Sequence, residues 1–163
     1  MPTLVHRFVL ADGEREVSLA RRKVVDKVRK WGVPLDDETA DAIRLIASEL
    51  ITNAVVHGEG PVAVALYHRV GSLVIDVFDG NPSAPQMSCA QDDGESGRGL
   101  ALVDLLASRC AWAPSEYGKH VWAEIELPMT APAIRAAVLR RFFARRPKHR
   151  IVPEPETLTL AVA

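Results

Sequence analysis

The chain is organised around one stretch, which reads Ser48-Glu49-Leu50-Ile51-Thr52-Asn53-Ala54-Val55-Val56-His57-Gly58. It has the pattern of the end of an amphipathic helix. Residues four apart lie about 40° apart around a helix axis, so Glu49, Asn53 and His57 form one polar row. The row borders an apolar stripe made by Ile43, Ile46, Ala47, Leu50 and Ala54. A carboxylate and a carboxamide at this border must be satisfied by each other, by backbone, or by a metal–phosphate ligand.

Length and composition describe an ordinary soluble globular protein. The 163 residues suffice for one domain with a sizeable core, and 48% of them are apolar and 25% charged. The net charge of -1 gives no general attraction to nucleic acid or to a membrane, so neither is expected as a direct partner. No membrane span or signal peptide is visible. Cys89 and Cys110 predict no disulfide, which fits a reducing cytoplasm.

The segment before the central stretch predicts a strand and a basic helix. Residues 3–10 have the composition of a strand, and apolar residues recur with a helical period over residues 14–31. The many lysines and arginines of this helix fit either a solvated face or a face that docks a partner. Asp36 or Asp37 can cap the next helix, which is predicted to run to His57.

Two strands with alternating apolar residues follow, over residues 62–66 and 73–77. Continuing the second alternation places Asp79 on the same face as Leu73, Ile75 and Val77. A carboxylate that points towards the core is unfavourable unless it has a partner. Alternatively, Asp79 begins an ordinary turn, because Asp before Gly is common there.

A long polar loop leads into a glycine-rich turn. Residues 80–96 contain few large apolar residues, and loops of this length are often functional or mobile. The turn Ser96-Gly97-Arg98-Gly99-Leu100 opens a helix over residues 101–106. Free N–H groups at a helix start favour an anion, so this turn is either a phosphate cradle or a plain helix start. Arg98 either contacts phosphate or is solvated.

The last part of the chain predicts two strands and a separate tail. Residues 110–112 and 119–127 have strand patterns, with Pro114-Ser115-Glu116-Tyr117-Gly118 as the turn between them. Pro128 ends the pattern. Residues 1–130 are therefore predicted to form the domain. Residues 131–163 are predicted to form a basic helix, over 131–146, and a poorly ordered tail.

Taken together, these parts suit a nucleotide. The amide oxygen of Asn53, with phosphates, is a plausible ligand set for Mg²⁺, which prefers hard oxygen ligands. Glu49 could orient or deprotonate an attacking group. Asp79 could accept a hydrogen bond from the exocyclic amine of adenine. Gly97 and Gly99 would let backbone N–H groups approach phosphates.

The motifs resemble a known series. Glu49-x-x-x-Asn53, Asp79, Gly97-x-Gly99 and Gly118-Lys119-His120-Val121-Trp122 resemble, in order, the N box, G1 box, G2 box and last strand of the Bergerat-fold (GHKL) ATPases. Within that superfamily, the central stretch is similar to the anti-sigma factor serine/threonine-protein kinases of bacterial partner-switching systems. The resemblance covers about residues 8–128.

The resemblance implies a fold and a set of site residues. The fold would be α/β (α+β), a two-layer sandwich with helices on one face of a mixed, mostly antiparallel sheet. Mg²⁺ and ATP would bind with Asn53 at the metal, Glu49 as the catalytic base and residues 80–96 as a lid. The other residues implied to bind ATP are Asp79 on the adenine amine, Gly97, Arg98, Gly99, Leu100 and His120.

The resemblance also implies partners. An anti-sigma kinase would hold a sigma factor, or phosphorylate a serine or threonine of a small anti-anti-sigma protein of the STAS type, and would form a homodimer. A second interpretation is a binding module that holds ATP and sequesters a partner without phosphoryl transfer. A third, a sensor-kinase catalytic domain, is disfavoured because no phosphoacceptor helix with a His-Glu pair precedes it.

Three positions depart from the family pattern. Asn81 stands where the G1 box usually has glycine. His120 replaces a threonine whose hydroxyl helps to fix Asp79 and adenine; a histidine could still donate or accept one hydrogen bond there, but it is bulkier. Glu95 replaces an arginine, and a negative charge there does not help phosphoryl transfer. ATP binding is expected to survive these changes, whereas kinase turnover is the property that they put in doubt.

Overall fold

A computed structural model describes residues 3–10, 14–85 and 99–128 of the chain. The helices and strands follow in the order β1 (Leu4–Leu10), α1 (Glu14–Lys30), α2 (Asp37–His57), β2 (Val62–Arg69), β3 (Ser72–Asp79), α3 (Gly99–Leu106), β4 (Arg109–Ser115) and β5 (Gly118–Glu126).

The described strands form one five-stranded sheet in the order β1-β2-β3-β5-β4, and each pairing is antiparallel. Helix α2 contacts β2, β3 and β5 on one face of this sheet, and α1 packs against α2. This arrangement confirms the predicted two-layer α/β sandwich.

Side-chain alternation decides what enters the core. Val77 of β3 lies between Val64 of β2 and Val121 of β5, and all three are at most 4% exposed. Strand residues on one face point the same way at every second position. Asp79 lies two residues beyond Val77, so it belongs to the buried face, as the alternation predicted.

Helix α2 is fixed at its start by a side-chain cap. The Asp36 carboxylate accepts a hydrogen bond of 2.8 Å from the Thr39 backbone N–H, which satisfies one of the free donors of the first turn. Of the two predicted caps, Asp36 is therefore the one that is used. The apolar stripe of the helix is buried, with Ile43, Ile46 and Leu50 at most 1% exposed.

The last hairpin is tighter than predicted. Strand β4 continues through Pro114, which pairs with Lys119, and the turn contains only residues 116–117. Proline is tolerated here because β4 is at the edge of the sheet and needs no further N–H donor. Gly118 then begins β5 with φ of 152°, a conformation that favours glycine.

Several predictions concern residues outside the described ranges. Gly97 and Arg98, most of the predicted lid with Glu95, Cys89, and the C-terminal residues 131–163 all lie there. Cys110 is described as a free thiol, and burial raises its pKa to about 11, which keeps it protonated near neutral pH. Among the described helices, none has both the length and the apolar character that crossing a membrane requires.

Candidate functional site

Asp79 is at the centre of the candidate site. It ends β3, faces α2 and is 0% exposed. Its Oδ1 atom accepts hydrogen bonds from the Lys119 ammonium at 3.0 Å and from the Asn81 backbone N–H at 2.9 Å. Lys119 is itself only 2% exposed, so the pair is an ion pair inside the fold. Burial of two charges is tolerated because they compensate each other.

The other oxygen of this carboxylate is different. Asp79 Oδ2 is buried and has no hydrogen-bond partner among the described residues. A buried acceptor without a donor is unfavourable by about 1–3 kcal/mol. Native proteins keep such atoms rarely, and often at functional positions. A donor that reaches Oδ2 from a ligand would remove this penalty, and an exocyclic amine has the required chemistry.

Glycines allow the surrounding elements to close on Asp79. A Cβ at Gly58 would lie 2.7 Å from both Cβ and Cγ of Asp79, so only glycine lets the end of α2 approach this closely. A Cβ at Gly118 would lie 2.7 Å from the Gly80 Cα atom and nearer still to the Asp79 carbonyl oxygen. Glycines therefore stand where β5 and the end of α2 approach Asp79 most closely.

Asn81 connects the segment after β3 to the end of α2. Its side-chain amide donates to the His57 carbonyl at 3.0 Å, and its side-chain oxygen accepts from the Ser83 backbone N–H at 2.9 Å. The Asn81 carbonyl accepts a second hydrogen bond from Lys119 at 3.0 Å. This asparagine, a departure from the family pattern, thus satisfies a free carbonyl at the end of α2. The His57 side chain is exposed.

Glu49 and Asn53 lie one helical turn apart on α2, and both are partly exposed. The Glu49 carboxylate is close to the start of α3, because a Cβ at Gly99 would lie 3.0 Å from the Glu49 Cδ atom and nearer still to Oε2. The predicted catalytic base therefore adjoins the predicted phosphate cradle. The next residue, Leu100, is half-buried and packs against the core.

Helix α2 spans the distance between the two parts of the site, the buried Asp79 and the start of α3. Glu49 and Gly58 are about 13 Å apart along the helix axis, at a rise of 1.5 Å per residue. One end of this interval meets the buried Asp79, and the other meets the start of α3. Asn53 lies between them. An extended nucleoside triphosphate needs this kind of separation between the group that binds its base and the groups that bind its phosphates.

His120 does not face Asp79. In the register of β3 and β5, His120 pairs with Phe78, and Lys119 pairs with Asp79. His120 therefore points to the opposite face of the sheet, where its Nδ1 atom lies 3.1 Å from both carboxylate oxygens of Asp76. That hydrogen bond raises the pKa of His120. His120 therefore does not lie beside Asp79 as the family threonine would, because adjacent strand residues face opposite sides.

Sequence reasoning missed Lys119, although a signal was present. Val121, Ala123, Ile125 and Leu127 mark the buried face of β5, and extending this alternation back by two residues reaches Lys119. A lysine is almost never fully buried unless it is paired. Its position opposite Asp79 therefore could have indicated the ion pair.

The described residues fit ATP better than they fit a metal held by protein alone. No group of three or more His, Cys, Asp or Glu side chains among the described residues could hold a metal ion. Mg²⁺ usually keeps few protein ligands and binds through phosphates, so a single amide such as Asn53 is compatible with it. The unsatisfied Asp79 Oδ2 atom and the approach of Glu49 to Gly99 fit the two ends of a nucleotide.

An antiparallel sheet covered by helices, with a buried acceptor at one end of α2 and a carboxylate beside a helix start at the other, has the features of a nucleotide-binding domain. The comparison with family models identifies the class. Residues 10–125 match the model described as the histidine kinase-like ATPase domain. This match covers more than half of the chain, so the chain belongs to the histidine kinase-like ATPase domain family, and ATP binding is its family trait. A comparison with curated proteins finds no match.

Proposed function

We propose that this protein is an anti-sigma factor with ATP-dependent protein serine/threonine kinase activity, which phosphorylates a small anti-anti-sigma protein of the STAS type. The observation that carries this proposal is the layout of α2. Its last turns present Glu49, Asn53 and, through Gly58, the buried Asp79 in the order that a nucleotide would use from phosphate to base.

The residue roles follow from their surroundings. Asp79 Oδ2, which lacks a donor in the described structure, accepts the adenine amine. Asn53 would supply an amide oxygen to Mg²⁺, which would neutralise phosphate charge, and ATP would supply the γ-phosphoryl group and leave as ADP. Glu49, partly exposed and beside Gly99, accepts the proton of the attacking hydroxyl. The family resemblance, rather than described surroundings, assigns phosphate binding to backbone N–H groups over residues 97–100 and a positive charge to Arg98.

The proposal extends to partners and assembly. A sigma factor and the antagonist compete for the protein in the cytoplasm, and phosphorylation of the antagonist decides which one is bound. We propose a homodimer through the N-terminal strand and helix. Support comes from β1, which is an edge strand with Val5 45% and Val9 64% exposed. An exposed edge of this kind pairs readily with a second chain.

A second candidate is a module that holds ATP and sequesters its partner without turnover. Asn81 favours it, because the side chain of this residue ties the start of the segment after β3 to His57 and Ser83. Lid motion is part of turnover in many ATP-dependent enzymes, and this anchoring restricts the first residues of the predicted lid.

Glu49→Gln separates the two candidates. The substitution keeps the shape of the side chain but removes the proton acceptor, so phosphoryl transfer should fall by at least about a hundredfold, in the range of general-base effects. ATP binding should change by less than about threefold. The measurement is phosphate transfer from Mg-ATP to partners recovered by pull-down from the native host, with phosphosites identified by mass spectrometry and ATP affinity measured by calorimetry.

Glu38→Gln is the matched control, because Glu38 is exposed in the first turn of α2, far along the helix from Glu49. It should leave transfer and ATP affinity unchanged. If the wild-type protein binds ATP and its partner but yields no phosphoserine or phosphothreonine, the kinase is excluded and the sequestering module remains.

A further inference from the structure

Lys119 is the largest fully buried side chain described, and nothing in the proposed chemistry of transfer uses it. Its ammonium donates to Asp79 Oδ1 and to the Asn81 carbonyl, both at 3.0 Å. A lysine buried to 2% exposure needs a compensating charge, and Asp79 supplies it. Hydrophobic residues of similar volume are often as stable in such positions as ion pairs. Stability alone therefore does not explain the pair.

The two carboxylate oxygens of Asp79 have different hydrogen-bond environments. Among the described residues, two hydrogen-bond donors reach the carboxylate, the Lys119 ammonium and the Asn81 N–H, and both contact Oδ1. Oδ2 is left without a donor in the described structure. A charged carboxylate accepts hydrogen bonds and donates none, whereas a protonated one also donates. Lys119 therefore orients the carboxylate and keeps its free oxygen as an acceptor.

We propose that Lys119 is a positioning residue that sets base selectivity: through Asp79, it makes the site prefer a purine with a 6-amino group over a purine with a 6-oxo group. The proposal rests on the proposed ATP site. A 6-amino group donates to Oδ2. A 6-oxo group brings a second acceptor against the same oxygen, and two facing acceptors repel each other.

Among the described residues, the charge that acts directly on Asp79 comes from Lys119. Lys119 of β5 is the charged side chain that contacts Asp79 among the described residues. The end of α2 approaches Asp79 through Gly58, and the titratable neighbours of this glycine, His57 and Glu59, are exposed. Without Lys119, the buried carboxylate would lose its counter-ion and the contact that holds Oδ1. Oδ2 would then no longer be held as a fixed acceptor for the 6-amino group.

The test compares the affinities of ATP and inosine triphosphate, which differ in the 6-amino and 6-oxo groups. Both are titrated by calorimetry into the full chain at pH 6 and pH 8. The wild-type protein should prefer ATP by about ten- to a hundredfold at both pH values, the range for a hydrogen bond to a charged group. Lys119→Met should lower this ratio at least about fivefold at both pH values.

Two further variants keep the result interpretable. Lys30→Met removes an exposed lysine at the end of α1 and should leave the ratio unchanged. Lys119→Gln keeps a donor without the charge, and it replaces Lys119→Met if that variant does not fold. The ratio of ATP to inosine triphosphate affinity should fall in this variant too. A purely structural role for Lys119 would lower the melting temperature without changing the ratio.

The outcomes distinguish this inference from the proposed function. If the wild-type protein binds ATP but every folded Lys119 variant keeps the wild-type ratio within about twofold at both pH values, the role of Lys119 is refuted and the ATP site stands. If the wild-type protein binds neither nucleotide, the ATP site is refuted and the inference falls with it.

Discussion

At the scale of single residues, two acidic side chains of β3 have opposite environments. Asp79 faces α2, is fully buried and is paired with Lys119. Asp76 faces the other side of the sheet and is paired with His120, whose side chain is 44% exposed. The three-residue spacing explains the contrast, because an odd number of residues along a strand reverses the face. The described structure therefore leaves one oxygen of Asp79 without a hydrogen-bond donor, whereas both oxygens of Asp76 lie near an imidazole nitrogen.

The His120–Asp76 pair predicts a pH dependence of stability. The hydrogen bond to Asp76 raises the pKa of His120 above its usual value of 6.5. The stabilisation is therefore fully present below about pH 6.5 and is lost as the pH rises through the higher folded value. Asp76→Asn should lower the free energy of unfolding by about 0.3–1 kcal/mol more at pH 5.5 than at pH 9, the range for ion pairs that solvent still screens.

Urea unfolding of the wild-type protein and of Asp76→Asn at the two pH values measures this difference. Adding His120→Asn to Asp76→Asn should cause no further pH-dependent loss in the free energy of unfolding, because Asp76→Asn has already removed the Asp76–His120 pair. An equal loss at pH 5.5 and pH 9 would contradict the assigned pair.

Asp79 was predictable from the sequence, whereas the contacts of Lys119 and Asn81 were not predicted. The alternation of apolar residues in β3 placed Asp79 on the buried face, because a strand has a fixed period, but it left an ordinary turn at Asp79 as an alternative. The same rule applied to β5 would have paired Lys119 with Asp79. The resemblance to a family threonine instead directed attention to His120. The bonds of Asn81 to His57 and Ser83 depend on loop geometry, which carries no period.

At the scale of elements, α2 connects the core to the site. Its stripe of buried residues fixes the helix against the sheet, so the polar row at its edge is held without support from loops. The Asp36 cap fixes its start, and the Asn81 amide satisfies its last carbonyl. Such a helix can hold Glu49 and Asn53 in a constant geometry before any ligand binds.

The contact between α2 and β3 depends on Gly58. A methyl group there would lie 2.7 Å from Cβ and Cγ of Asp79 and nearer still to the Ala54 carbonyl oxygen of α2, closer than atoms in contact allow. Gly58→Ala should therefore lower the free energy of unfolding by about 1–3 kcal/mol, the usual range for overpacking. It should also weaken ATP binding at least about tenfold, because Asp79 must move. Urea unfolding and calorimetric titration measure the two effects.

Gly60→Ala is the control for this prediction. Gly60 has φ of 68° and no atom within 4 Å of a built Cβ. Alanine there should cost about 1–2 kcal/mol of stability through its backbone conformation, with unchanged ATP affinity. Equal loss of affinity in both variants would show that the close approach of Gly58 to Asp79 is not what matters.

Most elements were predictable because they have strong periods and clear ends. The predicted helices and strands before residue 80 agree with the structure to within a few residues. The hairpin of β4 and β5 was predicted with too long a turn, because Pro114 and Ser115 are typical of turns but here lie in an edge strand. Gly99, expected in the turn, is the first residue of α3.

At the scale of the whole molecule, the fold brings β5 and α3, which are distant in sequence from α2, to the two parts of the site. Strand β5 places Lys119 in contact with Asp79, and α3 places Gly99 beside Glu49. Membership of the histidine kinase-like ATPase domain family gives this layout a class and leaves the partner protein to experiment. The central claim is that the buried end of β3 binds the base of ATP.

Asp79→Asn tests that claim most directly, with Asp76→Asn as the matched control in the same strand. The Asn81 N–H should hold the new side-chain oxygen in place, so the amide nitrogen faces the adenine amine and two donors oppose each other. Calorimetric titration with Mg-ATP should show affinity lowered about ten- to a hundredfold by Asp79→Asn and unchanged by Asp76→Asn. Wild-type affinity in the Asp79→Asn protein, or no ATP binding by the wild-type protein, would contradict the account.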